Sequence, residues 1–437
     1  TFLLPFPTDE FALLNQNLQT SENTIATTTA YQIKLSDKWS LRPGINWMRS
    51  VYNHNFKWEE SDGSFVADKS PTGDVVAHNL EYFMHISYKL DSFTTLHIVP
   101  EINQSIEDRT FATDSVFNFD FNQAFFIPYM FIRSNKPHKY SFRFNVRANL
   151  VRPEVTQLLP VIDNSNPYRT TQGNIELQNY MNYRNRWHYR RILGLGKSVS
   201  ISGWSSLAVR PVINSNTITE DNYSLSEVIN LKNRIYTNLD LGFSWPIKPI
   251  KAQFEIELGY NYGQSYFIQN QEEIFSQNNG FSIGPSIQFN EFDKWSLDLD
   301  YDLNLKSGNI NGIANNDYIY HEIDAEFILT PIDRLEFANS LYMEIYGSNN
   351  AVGAAAIPIL TSEISYFIDK DQRWSLGVRA YDIFNKNQNL WRWWTSNSFV
   401  QSQGNAVRRY TMATLTYKIK QKGKGSKGNG PIDRRRH

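Results

Sequence analysis

Long runs of strictly alternating apolar and polar residues recur along almost the whole chain. Between Trp295 and Leu305, six apolar side chains alternate with Ser, Asp, Asp, Asp and Asn. The segments 80–90, 140–150 and 252–262 repeat the pattern. Because successive side chains of a β-strand point to opposite faces, the pattern predicts strands with one apolar and one polar face. Each run is about ten residues long, which exceeds the ~5–6 residues of a globular strand and matches the ~9–11 of a strand that crosses a bilayer.

The connections between these runs fall into two classes. Short polar turns are predicted at 36–38, 91–92, 135–138, 196–198, 246–249, 290–294, 331–334 and 369–373, and longer connections at 59–74, 153–177, 214–222, 306–317 and 390–405. Short turns at one end and long loops at the other are typical of outer-membrane barrels. Aromatic residues stand next to most of the short turns, namely Trp39, Phe93, Tyr140, Trp245, Trp295 and Trp374. A ring of aromatics at one rim indicates a membrane interface, because amphipathic rings settle at headgroup depth.

The predicted fold class is therefore all-β, a transmembrane antiparallel up-and-down β-barrel. About 17 strands are predicted, at 22–35, 39–58, 76–90, 93–108, 115–134, 138–152, 178–196, 198–213, 223–246, 250–268, 280–291, 294–306, 318–330, 334–347, 355–369, 373–387 and 406–420. An odd number cannot close an antiparallel barrel, so we expect the barrel, residues 1–420, to be incomplete on its N-terminal side. The alternative is that part of 1–19 supplies a further strand. A soluble β-propeller or β-solenoid is the competing fold, but propeller blades use shorter strands with similar turns at both ends.

Composition excludes several classes of function. The 437 residues include no cysteine, which excludes disulfides, cysteine-ligated metals and thiol nucleophiles. A net charge of −1 gives no overall field to attract nucleic acid, so no nucleic-acid partner is expected. Aromatics make up 14% of the chain although its mean hydropathy is only −0.48, as two-faced strands require. No apolar stretch approaches the length of a spanning helix.

The C-terminal end differs in composition from the rest. From Lys418 to His437 the chain holds eight Lys or Arg against one Asp, with four Gly and no periodic pattern. Residues 421–437 are therefore predicted to be a disordered basic tail. The tail is either simply solvated or contacts an anionic envelope polymer or a partner protein.

Three stretches resemble the C-terminal barrel of TonB-dependent receptors, in particular the subgroup of outer-membrane β-barrel family proteins. The first runs from Arg152-Pro153 through Leu159-Pro160 and Ser165-Asn166-Pro167 to Gly173-Asn174-Ile175-Glu176-Leu177, and is similar to a family loop between two strands. The family continues with Pro-Glu, where this chain has Gln178-Asn179.

The other two stretches lie near the end of the chain. Ala380 to Lys386, with Asp382-Ile383-Phe384-Asn385-Lys386, is similar to the family's Asn-Leu-Phe-Asn-Lys near the end of the penultimate strand. Arg409 to Ile419 resembles the last strand, although the family prefers Phe near Ile419.

The resemblance implies a 22-stranded barrel with a plug domain and a TonB-contacting segment upstream, in the bacterial outer membrane with its C-terminus periplasmic. The implied function is energised uptake of a nutrient such as a metal chelate, an oligosaccharide or a peptide. Implied partners are outer-membrane lipid and lipopolysaccharide, the plug and TonB. A surface lipoprotein or other complex partner is a further candidate. The alternative is a non-transporting structural or assembly β-barrel subunit of an outer-membrane complex.

No catalytic constellation is recognisable, so we expect neither an enzyme nor a cofactor. The eight His are scattered, with no pair at metal-ligand spacing. Asp298, Asp300 and Asp302 alternate on a strand and lack the Gly and closing Glu of a calcium loop, so no metal site is predicted.

The polar faces of the strands carry a charge pattern. On the sixth and seventh strands the phase of the alternation points the basic residues inward, namely Arg143, Arg147, Arg184, Arg186 and Arg190. On later strands it points acids inward, Asp298, Asp300 and Asp302 among them. These residues either meet plug charges and hydrate the lumen, or form a transverse field that orients an anionic or zwitterionic substrate.

The turn lengths also predict sidedness. A cysteine placed at Asn166, in a long connection, should react with an impermeant maleimide on intact cells, because this end of the barrel is expected to be extracellular. A cysteine at Ser92, in a short turn, should not react. The reverse labelling pattern would invert the assignment.

Overall fold

The computed structural model describes residues 15–59, 70, 72–112, 116–159, 162–166, 169–218, 224–289, 292, 294–314, 317–347, 353–394 and 399–419. It is almost entirely β. The main strands are β1 (Asn15–Ala30), β2 (Trp39–Glu59), β3 (Thr72–Lys89), β4 (Thr94–Val99 and Glu101–Ala112), β5 (Val116–Phe126 and Tyr129–Lys136), β6 (Tyr140–Val151), β7 (Tyr180–Gly194), β8 (Lys197–Val209), β9 (Arg234–Ile247), β10 (Ala252–Gln269), β11 (Glu272–Phe289), β12 (Trp295–Ile310), β13 (Tyr318–Ile332), β14 (Leu335–Tyr346), β15 (Ala355–Phe367), β16 (Trp374–Tyr381) and β17 (Tyr410–Tyr417).

Each of these strands pairs antiparallel with the next, from β1 through to β17. The predicted all-β meander and its 17 strands are confirmed. β4 and β5 are each interrupted once, at Pro100 and next to Pro128. Proline has no N–H to donate to a neighbouring strand, so the ladder is interrupted at both positions.

Several predicted boundaries are wrong. The first strand is Asn15–Ala30 rather than 22–35, the eleventh begins at Glu272 rather than 280, and the sixteenth ends at Tyr381 rather than 387. The ninth strand begins at Arg234 rather than 223, because Ser224–Asn230 instead pairs with Val212–Ile218 in a separate hairpin. The two hairpin strands lack a regular alternation, so periodicity did not identify them, and the first of them, Val212–Ile218, overlaps the predicted connection 214–222. The hairpin's Ser224–Asn230 strand also pairs, in parallel, with Arg169–Gln172 of the β6–β7 connection.

Seven of the predicted short turns lie between the predicted strand pairs, and two of them are held by a carboxylate. Most of the eighth, 290–294, lies outside the described residues. Asp91 accepts the backbone N–H of Phe93 at 2.7 Å, and Asp369 accepts those of Trp374 and Arg373 at 2.7 and 2.9 Å. These hydrogen bonds stabilise the charged form and lower the pKa of both carboxyl groups. At the opposite end the β10–β11 connection is only two residues long. Asn270 and Gln271 both have positive φ there, which fits the tight turns favoured between twisted strands.

The two faces of the sheet differ in chemistry along its whole width. The apolar face carries Tyr140, Phe142, Trp295, Leu297 and Leu299, and it leaves large side chains exposed across strands as far apart as β2 and β17. A continuous apolar surface of this extent is not compatible with water. From Trp295 to Leu305 the apolar run rises about 33 Å along the strand at ~3.3 Å per residue, or about 25 Å along the membrane normal for a tilt of ~40°. That height matches the lipid-facing band of a transmembrane barrel.

Aromatic side chains line the rim of the sheet at the short turns. Trp39 stacks on Tyr88 with ring centroids 4.1 Å apart. The ammonium of Lys197 lies 3.7 Å from the ring centroid of Trp245, and that of Lys418 lies 5.5 Å from Phe367. Rings at headgroup depth, with lysine side chains reaching over them toward water, are typical of a membrane interface.

The strands at the two ends of the meander run in the same direction. Within the part of the chain that the structure describes, no pairing joins β1 to β17. The predicted tail, 421–437, lies outside the described residues, and so does most of 1–19. No helix among the described residues is long and apolar enough to cross a bilayer.

The two-faced sheet leads to a stability prediction. Leu299→Arg places a charge near the middle of the apolar face and should cost about 2–4 kcal/mol of folding free energy in a bilayer. Urea unfolding in lipid vesicles measures the change. Ser340→Arg, on the polar face, is the control and should cost far less. Equal costs for the two variants would show that the apolar face does not contact lipid.

Candidate functional site

The five arginines predicted on the sixth and seventh strands lie together on the polar face of β6 and β7. We call them the basic strip: Arg143, Arg147, Arg184, Arg186 and Arg190. Arg147 lies directly opposite Arg184, and Arg143 is opposite His188. Arg186 and Arg190 are opposite Asn145 and Ser141. Cross-strand neighbours share a face and approach within about 4.5–5.5 Å at Cβ, so the strip concentrates positive charge on two adjacent strands.

The basic strip has no anionic partner within the described part of the chain. The ion pairs found there involve other residues. Arg190 donates to the hydroxyl of Ser198 at 3.1 Å, which leaves the remaining guanidinium hydrogens available. Guanidinium keeps its charge at any accessible pH and must be matched by water, counterions or an anionic ligand. The strip is therefore suited to contact negative charge from outside the sheet.

A sixth arginine extends the basic strip onto β5. Arg133 lies opposite Arg143, on the same face. Sequence reasoning missed this residue, which lies in the predicted strand 115–134 after a break next to Pro128. The register continues unchanged across the break, but the first half of the strand carries Phe117, Phe119 and Phe121 on the face of Arg133, so its alternation would have assigned Arg133 to the apolar face.

The three predicted aspartates form an acidic strip with residues of the next strand. On the polar face Asp298 lies opposite Glu326, Asp300 opposite Asp324 and Asp302 opposite Glu322. Like charges placed directly opposite each other on neighbouring strands are destabilising. No group of three His, Asp or Glu among the described residues is arranged to hold a metal ion. The strip is thus a concentrated negative surface, retained at a cost to the stability of the sheet.

Four strands, β8 to β11, separate the basic strip from the acidic strip. Their polar face carries many small residues. A Cβ at Gly259 would lie 2.3 Å from the hydroxyl oxygen of Ser282, and one at Gly284 would lie 2.4 Å from a carboxylate oxygen of Asp302. The absence of side chains here lets polar groups of neighbouring strands approach closely. The same face between the two charged strips also carries Glu255 and Glu257 of β10, opposite Ser244 and Gly242.

The β6–β7 connection folds onto the polar face of β3 and β4. Its one-turn helix, Val155–Leu158, and the residue Leu177 bury Leu158, Leu159 and Leu177 against Val75 and Phe111 of the sheet. The three leucines are at most 3% exposed. A connection whose apolar residues are buried on the wall covers part of the polar face instead of projecting into solvent.

A buried charge network fastens this connection to β4. We call it the latch: Glu107, Arg109, Arg152 and Asn179. One carboxylate oxygen of Glu107 accepts Nε and Nη2 of Arg109 at 3.2 and 2.8 Å. The other accepts Nε of Arg152 at 3.3 Å and Nδ2 of Asn179 at 2.6 Å. Arg152 and Asn179 flank the connection at its two ends, so a single carboxylate of β4 holds both ends.

Arg109 extends the latch into the connection itself. Its Nη1 donates to the carbonyl oxygens of Ile175 and Leu177 at 3.1 and 2.6 Å. Its guanidinium carbon lies 5.7 and 5.5 Å from the ring centroids of Phe119 and Phe121 on β5. Arg109 is 1% exposed, and a buried ion pair that loses one partner typically costs about 3–5 kcal/mol.

A second connection, between β16 and β17, reaches the polar face at a cluster of tyrosines. One carboxylate oxygen of Glu344 accepts the hydroxyls of Tyr320 and Tyr342 at 3.1 and 2.9 Å, and the other accepts that of Tyr346 at 3.0 Å. Arg392, from this connection, lies 5.3 Å from the ring centroid of Tyr346. Leu390 of the same connection is buried against this cluster. Both connections therefore narrow the space in front of the polar face.

Sequence reasoning found the charged strips and missed the latch. The strips follow from strand phase, which is a local property. Arg109 and Leu177 are 68 residues apart, and their contact depends on the path of a connection that has no periodicity. The one available signal was the pair Arg152-Pro153, which resembles a family motif without showing what the arginine contacts.

Comparisons with known proteins give similarity in fold at low identity. No family model and no curated protein matches the chain. The ferric-catecholate import receptor Fiu from K12 E. coli is 11% identical, with a TM-score of 0.43 over 91% of this chain and 64% of its own. The ferric yersiniabactin uptake receptor FyuA from Yersinia pestis is 9% identical, with a TM-score of 0.45 over 92% and 62%. The copper transporter OprC is 10% identical, with a TM-score of 0.45 over 93% and 68%. The chain thus spans less than two thirds of the first two receptors, and TM-scores below 0.5 transfer none of their properties to it.

The latch can be tested by cysteine protection, since the chain has no cysteine of its own. Leu158→Cys should be protected from maleimide, because Leu158 is 3% exposed. Adding Glu107→Gln leaves Arg109 without its counter-charge and should speed labelling about 100-fold, which corresponds to a loss of ~3 kcal/mol. Glu176→Cys, at an exposed position of the same connection, is the control and should label equally fast with and without Glu107→Gln. Unchanged protection of Leu158→Cys in the Glu107→Gln background would show that the latch does not hold the connection.

Proposed function

We propose that the chain is the barrel of a TonB-dependent receptor that takes up a nutrient across the bacterial outer membrane. The observation that carries the proposal is the basic strip: five arginines on adjacent strands with no anion to pair them among the described residues. A structural wall has no need of such a concentration of charge. A surface that contacts an anionic group, on a substrate or on a plug domain, needs this concentration of positive charge.

The two faces of the sheet support this assignment. With the apolar face toward lipid, the polar face becomes the inner wall, so the basic and acidic strips both front the lumen. Low-dielectric walls focus the field between charged surfaces, so a solute in the lumen would experience a transverse field. Such a field would orient an anionic or zwitterionic solute on its way through. These lumen-facing assignments of Arg143, Arg147, Arg184, Arg186, Arg190, Asp298, Asp300 and Asp302 are part of the proposal.

The inward-folded connections support controlled uptake rather than free diffusion. Both narrow the space in front of the polar face near its long-loop end, and the latch holds one of them with buried charge. A narrowed opening does not by itself move a solute against its gradient, and the outer membrane has no nucleotide supply. Energy would therefore come from the inner membrane through TonB, as the family resemblance of the sequence implies. A metal chelate, an oligosaccharide and a peptide are the candidate cargoes.

The basic strip is tested by neutralising three of its members in the full-length protein. Arg143→Gln, Arg147→Gln and Arg186→Gln together remove charge from the polar face and keep side-chain size. If the strip binds substrate, uptake affinity should fall while antibiotic leak stays constant. Each charged hydrogen bond lost costs about 1.5–3 kcal/mol, or ~10–150-fold in affinity. If the strip seats a plug, leak of small antibiotics should rise.

Arg191→Gln is the matched control for these variants. Arg191 is also on β7, but it lies opposite Tyr140 on the apolar face and is exposed. It should change neither affinity nor leak. A triple variant that behaves like Arg191→Gln would remove the observation on which the proposal rests. Nutrient uptake that persists at full rate in cells lacking this protein would favour the non-transporting assembly subunit, and uptake through it that persists without TonB would contradict energised transport.

A further inference from the structure

The β16–β17 connection, 382–409, contains an open cleft on the long-loop side of the sheet. The cavity measures about 520 Å³, within the ~300–1,000 Å³ range of small-molecule sites. One side is formed by Asn387 and Gln388, and the other by Gln403, Asn405 and Arg408. The backbones of Gly404 and Ala406 complete the lining. None of the groups assigned to the lumen takes part in it.

The cleft rests on an unusually fixed turn. Asp382 is fully buried, and its carboxylate accepts the backbone N–H groups of Lys386 and Asn387 at 3.0 and 3.1 Å. Asp382, Asn385 and Asn389 all have positive φ, of 47°, 54° and 44°. Asn and Asp adopt this region more readily than other non-glycine residues, so the sequence of the turn matches its backbone conformation.

Side-chain amides hold the two sides of the cleft at a set distance. The side-chain amide of Asn389 donates to the backbone oxygen of Asn405 at 3.3 Å. The backbone N–H of Gly404 donates to the backbone oxygen of Asn389 at 3.1 Å. A Cβ at Gly404 would lie 2.6 Å from the Asn389 amide nitrogen, so the close approach requires glycine. Asn387 bridges in the same way to the backbone oxygen of Val407 at 3.2 Å. The cleft is therefore preorganised, which lowers the entropic cost of binding.

The lining chemistry narrows the class of ligand. Gln388, Gln403, Asn405 and Arg408 are exposed. Each amide offers both donors and an acceptor, and the guanidinium offers donors only. The lining contains no carboxylate, so nothing in it favours a cation, and it contains no apolar pocket for a peptide side chain. Groups that donate and accept at once match hydroxyls, which do the same.

An exposed indole stands beside the cleft. Trp391 is 66% exposed, its Nε1 donates to the side chain of Asn389 at 3.1 Å, and it pairs with Ser402, next to Gln403 of the lining. An exposed indole face is a large apolar surface that can cover the C–H face of a sugar ring. Amides for hydroxyls and an indole for a ring face are complementary to the two sides of a pyranose.

We propose that this cleft binds a soluble oligosaccharide at the outer end of the barrel, with Gln403 and Arg408 binding hydroxyl or ring oxygens and Trp391 stacking on a sugar ring. The inference rests on the proposed uptake function and chooses the oligosaccharide among its three cargo classes. Capture at the rim precedes passage along the charged wall and needs no energy input.

The test measures binding of fluorescently labelled linear hexasaccharides of glucose, xylose and galacturonic acid to the full-length protein in outer-membrane vesicles. A labelled hexapeptide serves as the comparison probe. At least one saccharide should bind with Kd below about 1 mM. Gln403→Ala and Arg408→Ala should each weaken it about 10-fold, the usual effect of losing one hydrogen bond. Trp391→Ala should weaken it at least as much, and Gln178→Ala, at an exposed glutamine of the β6–β7 connection, should have no effect.

Three outcomes overturn the proposal: no saccharide binds below about 10 mM, saccharide binding is the same in all variants, or the hexapeptide binds and shows the same sensitivity. The same cells report uptake with and without a protonophore. If saccharide affinity depends on Gln403 and Arg408 but the protonophore does not change uptake, the binding cleft is supported and energised transport is contradicted. If the protonophore abolishes saccharide uptake but all three variants take up saccharide at the unmodified rate, energised transport is supported and the binding cleft is contradicted.

Discussion

The structure depends on the requirement that every backbone N–H and C=O facing lipid be hydrogen-bonded within the protein. A sheet meets this requirement only if each strand finds a partner on both sides, and the antiparallel meander supplies it from β2 to β16. The strand length and the period of two follow from the same constraint, because side chains on one face must then tolerate hydrocarbon along about 25 Å of height. Where Pro100 removes a donor, the strand is interrupted but the sheet continues, since the Pro100 carbonyl accepts from Met84.

This arrangement requires one face of the sheet to be polar, but it does not require that face to be charged. Any inner wall must be polar, but serine and asparagine would suffice. Instead Arg147 lies opposite Arg184, and Asp300 lies opposite Asp324, which are pairs that weaken the sheet. The latch differs from these like-charge pairs. Glu107 and Arg109 are buried, form an ion pair with each other and hold a connection in place. Like charges therefore face each other on the wall, whereas opposite charges are paired beneath the connection, where they hold it in position.

The sequence predicts the strands well because alternation is local and repeated. The faces of Leu299 and Arg143, and the like-charge pairing of the acidic strip's strands, follow from phase and from short turns. The start of β9 could not be predicted, because the hairpin after Val212 has no regular alternation that would separate it from the strand that follows. The latch and the oligosaccharide cleft could not be predicted either, because they bring residues of non-periodic connections against distant partners. Asp382 belongs to a motif in the sequence, and only the structure shows that its carboxylate accepts two backbone N–H groups of the turn that follows.

A sheet with one face toward lipid and the other toward water can be tested by spin-label accessibility along β12, with single cysteines from Trp295 to Leu305 in the cysteine-free chain, reconstituted in a bilayer. We predict a period of two: high oxygen accessibility at Leu297, Leu299 and Leu303, and high accessibility to a water-soluble nickel chelate at the positions between them. Accessibility that fails to alternate, or that alternates in the opposite phase, would contradict this arrangement of the two faces.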